Sequence, residues 1–207
     1  MNNTTLDFYN NNYSDYYNST VSVDLSKIYL EFTKMISKPA SILDLGCGSG
    51  RDSLYFKNEG YKVTAIDGSE KLAELASRLI EQEVIVSKFE ELELKYRFDG
   101  IWACASLLHL NGIELEKVLI KLKDALADDG ILYMSFKYGT TEFFDAKGRY
   151  FNLYTEEKIN RLIDRIESLK INKVFKTVAA PVWSRKFPVQ SKNEEVIWLN
   201  VLCSKKG

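Results

Sequence analysis

Gly46, Gly48 and Gly50 alternate directly after the apolar run Ser41-Ile42-Leu43-Asp44-Leu45, and Asp67 closes the next apolar run, seventeen residues after Gly50. Glycine in such a turn permits positive φ and lets backbone come close to a ligand. The helix expected to follow offers free N–H groups and a positive dipole end, suited to a carboxylate or phosphate. A carboxylate at Asp67 can accept hydrogen bonds from both hydroxyls of a ribose. Two ligands compete for this arrangement. A dinucleotide fold wants G-x-G-x-x-G, but Arg51 stands at the third glycine, and Asp44 adds charge that repels a pyrophosphate. A cationic sulfonium nucleoside with an amino-acid tail tolerates that acidity and is the better match.

The elements that must carry these residues follow from periodicity. Residues 24–36 show a helical apolar pattern. Strand-like runs at 41–45, 62–66, 83–87, 98–104 and 131–136 alternate with helical stretches at 52–59, 69–82 and 113–127. Such alternation predicts an α/β fold, a mostly parallel sheet with helices on both faces, its glycine loop at the carboxyl edge where ligands bind. A helix from Thr155 and two late strands, 171–178 and 195–204, predict an antiparallel C-terminal hairpin that brings the sheet to seven strands. The first twenty residues are rich in Asn and Tyr and poor in aliphatics. They read either as a polar tail or as a lid folded over a groove by its tyrosines.

Composition sets outer limits. The 207 residues suit one domain, and Lys plus Arg (28) nearly balance Asp plus Glu (29) for a net charge of -1. That argues against a broad footprint for duplex nucleic acid. Three cysteines and one histidine are too few for a Cys/His zinc site, so no metal is expected. With neither a signal-peptide pattern nor an apolar run long enough for a membrane span, the chain reads as cytoplasmic. Oligomeric state is not legible.

The motifs then become specific. Ile42 to Gly50 resembles motif I of class I S-adenosylmethionine-dependent methyltransferases, Val63-Thr64-Ala65-Ile66-Asp67 resembles motif II, and Phe98 to Cys104 resembles motif IV. Leu126 to Leu132 is similar to the turn before strand five, with Ala127-Asp128-Asp129 replacing its usual residues. The whole chain is similar to small bacterial methyltransferases of the tellurite-resistance-like or type 11/12 kind. The resemblance implies a Rossmann-like single domain, 1–207, with a lid at 1–23, a cofactor-binding core at 40–137 and acceptor-side elements at 138–207. It implies S-adenosylmethionine as cofactor, its methionine part on Gly46, Cys47, Gly48 and Gly50 with Asp44 near the ammonium group. Arg51 reaches the carboxylate or is a solvated helix residue. Asp67, flanked by Gly68 and Ser69, takes the ribose. Phe89 packs on the adenine, with backbone of Phe89 or Glu90 at its edge. Tyr13 or Tyr17 caps the cofactor.

Methyl transfer from a sulfonium needs a nucleophile placed in line and water kept out. The acceptor, a small molecule on this reading, belongs beside residues 103–109. His109 is either the general base or a packed ring held by a backbone group. Cys104 borders the cofactor as a packing residue rather than a nucleophile. Tyr138 and Arg149 are candidates for a polar or anionic acceptor. Trp183 and Arg185 in the loop 179–193 are further candidates.

Overall fold

The computed structural model describes residues 3–178 and 196–205. Trp183 and Arg185 lie outside them. The sheet is built from β1 (Ser41–Leu45), β2 (Lys62–Asp67), β3 (Ile85–Val86), β4 (Phe98–Ala103), β5 (Leu126–Lys137), β8 (Leu169–Val178) and β9 (Ile197–Lys205). The remaining strands, β6 (Glu142–Phe144) and β7 (Tyr150–Asn152), form a separate antiparallel hairpin. The strand order is β3-β2-β1-β4-β5-β9-β8, with β1 to β5 parallel and β9 antiparallel to both its neighbours. The fold is therefore the expected seven-stranded, mostly parallel sheet finished by an antiparallel pair.

Successive side chains of a strand face opposite ways, so a central strand must be apolar on both sides. Leu43, Leu45, Ile101, Ala103, Leu132 and Met134 join α6 (Gly112–Ala125) and α7 (Glu156–Ile163) in one core. Ile42, Trp102, Ile131 and Tyr133 meet α3 (Ser26–Thr33) and α4 (Arg51–Asn58) on the other face through Tyr29, Phe32 and Phe56. Trp102 is fully buried there, stacked on Tyr133 with ring centroids 3.9 Å apart. A third cluster beneath α5 (Glu70–Ile80) gathers Cys47, Ala65, Ala73, Ala76 and Ile80. Ser69 caps α5 by accepting from Leu72 N at 3.2 Å, the role its position predicts. Among the described residues no helix is long and apolar enough to cross a membrane.

Three differences from the sequence pattern matter. The amino-terminal stretch forms two helices, α1 (Asn3–Asn11) and α2 (Tyr13–Thr20), so the polar-tail alternative does not hold. Strand five starts at Leu126 instead of 131, because Phe98 and Leu126 already pair before the register shifts to Gly100 and Ile131. The β6–β7 hairpin was not anticipated. Its turn is held by Asp145, whose Oδ1 accepts from Lys147 N and Arg149 N, while Gly148 takes φ +79°. Replacing Trp102 by Ala is expected to cost about 3–5 kcal/mol of stability, as large buried aromatics do. Urea unfolding monitored by far-UV dichroism measures it.

Candidate functional site

The parallel strands deliver their carboxyl ends to one edge, and the loops leaving β1 and β2 meet there. Gly46 N and Cys47 N both donate to the Ile66 carbonyl, at 2.8 and 3.0 Å. Asp67 then grips the loop from the side. Its Oδ2 accepts from Gly48 N at 2.7 Å and its Oδ1 from Ser69 N at 2.8 Å. Gly46 sits at φ +76°, and a Cβ there would stand 2.4 Å from Ser106 Cβ, so the loop lies hard against the turn after β4. Gly48, at φ +55°, turns bare backbone toward Tyr16, whose Cε1 would be 3.2 Å from an added Cβ.

These loops floor a narrow cavity lined by Gly46, Gly48, Asp67, Gly68, Phe89 and His109 of the expected residues. Leu6, Tyr9 and Tyr16 roof it, and Ser87, Lys88, Ala105 and Ser106 complete it. Tyr9 and Tyr16, not Tyr13 and Tyr17, face inward, because the chain breaks at Asn12 between the two helices and the helical phase restarts.

Other expected residues lie elsewhere. Asp44 is buried under the loop, where Ser53 Oγ donates to it at 2.6 Å, and does not line the cavity. Cys47 packs into the core below α5, its thiol pushed well up by burial. Gly50, the left-handed cap of α4, also lies off the cavity. Ser69 borders it indirectly, donating to Asn10 Oδ1 at 2.7 Å. Glu90 is exposed and its carbonyl accepts from Lys121 Nζ at 2.7 Å, which turns it away from an adenine edge. Arg51 is committed to Asp52 through Nε at 2.6 Å and to the Thr20 carbonyl through Nη1 at 3.2 Å. Arg51 and Cys104 border a second cavity of about 320 Å³ beyond Ala105, which both cavities share. Ala105 itself holds φ +52°. Burial pushes the Cys104 thiol up to about 12.

On the far side, Arg149 is 2% exposed and forked onto Asp145 Oδ2 at 2.9 and 2.6 Å, with its guanidinium 4.4 Å from the Phe8 ring centroid. It locks the hairpin to α1 rather than presenting a fork to a ligand. Tyr138 carries the Lys176 ammonium 3.8 Å from its ring centroid and lines neither cavity. His109 is buried, with Nδ1 2.6 Å from the Tyr150 carbonyl and Nε2 2.8 Å from Tyr9 Oη. A carbonyl only accepts, so Nδ1 carries the proton and Nε2 receives the Tyr9 hydroxyl. Burial, reinforced by Arg149 and Lys137, lowers its pKa to about 3.

The interior beside the glycine loop is acidic. Burial and the neighbouring Asp52 charge push the Asp44 carboxyl well up, and burial raises Asp67 as well. Burial raises Asp52 too, but Arg51, Tyr29 and Trp102 outweigh it and hold that carboxyl low. A cation fits such a place better than a pyrophosphate. Each Asp67 oxygen accepts one backbone N–H and keeps a lone pair for a hydroxyl, and the bare Gly48 leaves room for a ligand's approach. These features suit a sulfonium nucleoside.

A parallel sheet with this strand order and a glycine loop clamped to the carboxylate ending β2 resemble those of class I S-adenosylmethionine-dependent methyltransferases. Residues 42–130 match the family described as a methyltransferase domain. Within the class the chain is similar to an uncharacterized methyltransferase of Staphylococcus carnosus, 24% identical over 69% of this chain and 74% of that protein. It is also similar to the probable S-adenosyl-L-methionine-dependent methyltransferase TehB of Haemophilus influenzae, 28% identical over 58% of this chain and 43% of that one. The matches span less than half the length of the other curated relatives. Among solved structures, the 1,6-didemethyltoxoflavin-N1-methyltransferase of Burkholderia thailandensis, with its acceptor and S-adenosylhomocysteine bound, has the same fold. Its TM-score is 0.77 at 21% identity, covering 99% of this chain and 88% of that one.

Being the single histidine, His109 can be followed without assignment ambiguity. Its imidazole ¹⁵N signals are expected to stay those of the neutral Nδ1–H tautomer from pH 8 to pH 5. Because its folded pKa lies below the unfolded value near 6.5, it favours the fold above about pH 6.5 and loses that contribution as pH falls toward 3. Between pH 7 and 5 this amounts to about 2 kcal/mol. Urea titrations should show that share of acid sensitivity in the wild type and not in His109→Gln.

Proposed function

We propose that the chain transfers the methyl group of S-adenosylmethionine to a small-molecule acceptor. The observation that carries this reading is the roof. Helices α1 and α2 place Leu6, Tyr9 and Tyr16 over the Gly48 and Asp67 loops, leaving a narrow, partly roofed cavity that suits a small molecule better than a polymer. The bound small molecule in the Burkholderia structure, and the balanced charge of this chain, point the same way.

The cofactor supplies a methyl group already activated on a sulfonium. The chain's own residues bind, orient and exclude water. Gly46 to Gly48 present backbone to the amino-acid part. Asp67 takes the ribose hydroxyls while holding Gly48 and Ser69. Phe89 packs flat space at the adenine end. The acidic surround of Asp44, Asp52 and Asp67 favours the positive charge. In this reading residues 1–23 form a lid, 40–137 hold the cofactor and 138–207 frame the acceptor. The three cysteines, all unpaired, suit a reducing, cytoplasmic setting.

A second reading, a cofactor-binding partner without turnover, is favoured by one observation. His109 Nε2 is taken by Tyr9, and its low basicity gives it little drive to accept a proton. Calorimetry with S-adenosylmethionine and S-adenosylhomocysteine tests the shared claim, and methyl release across phenols, thiols and amines separates enzyme from binder. Gly48→Val should abolish cofactor binding in a protein that still unfolds cooperatively, since a branched side chain at φ +55° both strains the turn and meets Tyr16. Asp67→Asn should weaken binding about tenfold or more, because a charge-assisted acceptor of two hydroxyls is lost. Unaltered affinity in either variant would show that the cofactor lies elsewhere.

A further inference from the structure

The Tyr9 hydroxyl occupies a place of chemical interest. His109 Nε2 points its lone pair into the same cavity that holds Gly46, Gly48 and Asp67, because its other nitrogen is pinned by the Tyr150 carbonyl. A neutral imidazole so oriented is arranged to receive an O–H. Here the O–H is the protein's own, 2.8 Å away. Around it the protein has built a seat for an aromatic ring. Tyr16 of α2 and His109 meet the Tyr9 ring edge to face, at centroid distances of 5.0 and 5.5 Å.

The occupant belongs to a short helix docked on the body mainly through side chains, with Thr5 and Leu6 buried. Helix α1 has nine residues and contributes no strand to the sheet. Side-chain bonds join it to the body, among them Thr4 Oγ1 to the Gly148 carbonyl at 2.9 Å, Tyr150 N to Thr5 Oγ1 at 3.1 Å and Ser69 Oγ to Asn10 Oδ1 at 2.7 Å. Helices this short are not stable on their own, and their docking is the part of a fold that opens first.

We infer that Tyr9 stands in for the acceptor, and that the substrate class is a phenol whose hydroxyl replaces that of Tyr9 on His109 Nε2. This rests on the methyltransferase reading above. In the transfer, the phenol oxygen bonds to the methyl carbon as the carbon–sulfur bond breaks, its electron pair returning to sulfur to leave a thioether. Bond formation to methyl makes the O–H strongly acidic, so its proton passes to Nε2 even though His109 is a weak base. One positive charge disappears from the sulfonium as one forms on the imidazole, so the buried site keeps its net charge. Burial pushes the Tyr9 hydroxyl up to about 12, with Arg149 opposing that rise.

The test detaches the Tyr9 side chain and offers it as substrate. Full-length Tyr9→Ala is incubated with S-adenosylmethionine and p-cresol, and 4-methylanisole is measured by mass spectrometry. Product should form roughly tenfold faster than with wild type, whose seat is filled. Adding His109→Phe should lower the rate about a hundredfold, the scale of lost general-base help. Tyr9→Phe keeps the ring in place and should not methylate p-cresol, and p-toluidine, an amine of the same shape, should react more slowly than p-cresol in Tyr9→Ala. Calorimetry with S-adenosylhomocysteine on every variant shows whether the cofactor seat survives. Normal binding without 4-methylanisole, equal methylation by Tyr9→Phe, or preference for p-toluidine overturns the acceptor assignment. Failure of the wild type to bind S-adenosylhomocysteine overturns the methyltransferase reading beneath it.

Discussion

One buried carboxylate joins the two loops on which the cavity rests. Asp67 receives the N–H of Gly48 from the turn after β1 and that of Ser69 from the turn after β2. Without it, two backbone donors in a water-poor place would lose their partner, and each such loss costs about 1–3 kcal/mol. Asp67 also lines the cavity, so in the proposed function the group that fixes the floor would meet the ligand as well. Structural and binding demands on Asp67 cannot be separated by geometry, because one pair of oxygens answers both.

Beneath the floor a second carboxylate organises the packing. Asp52 accepts from Arg51 Nε, Tyr29 Oη and Trp102 Nε1, and so connects α3, α4 and β4 at one point. Its charge raises the carboxyl of Asp44 nearby. A cation bound at the sheet's carboxyl edge would favour the charged forms of Asp44 and Asp67, which burial now raises. A dinucleotide pyrophosphate would meet those groups with the wrong sign.

The sheet was legible because its strands are apolar on both faces and its turns are marked by glycine. Ile42, Leu43 and Leu45, or Ile101 and Trp102, leave little choice of element. The glycine loop and Asp67 were legible for the same local reason. What stayed hidden depended on tertiary phase. Arg51 looks available in one dimension, yet its neighbour Asp52 claims it. Arg149 looks like a ligand-binding fork, yet Asp145, four residues earlier, holds its Nε and Nη2. The Asp145 to Gly148 turn did carry a signal, since an Asp whose side chain can bond its own backbone ahead of a glycine favours a tight hairpin. Helices α1 and α2 lacked an aliphatic stripe because they bury tyrosine edges instead, and only the break at Asn12 decides which rings turn inward.

Helix α1 joins the loop after β2, at the cavity floor, to the β6–β7 hairpin outside it. Asn10 and Leu6 meet the loop after β2 at Ser69 and Gly68, while Thr4, Thr5 and Phe8 hold the β6–β7 hairpin at Gly148, Tyr150 and Arg149. If a ligand met each of these regions, a single helix shared between them would impose reciprocity. Whatever factor one ligand gains or loses by shifting α1, it must confer on the affinity of the other, and in the same direction.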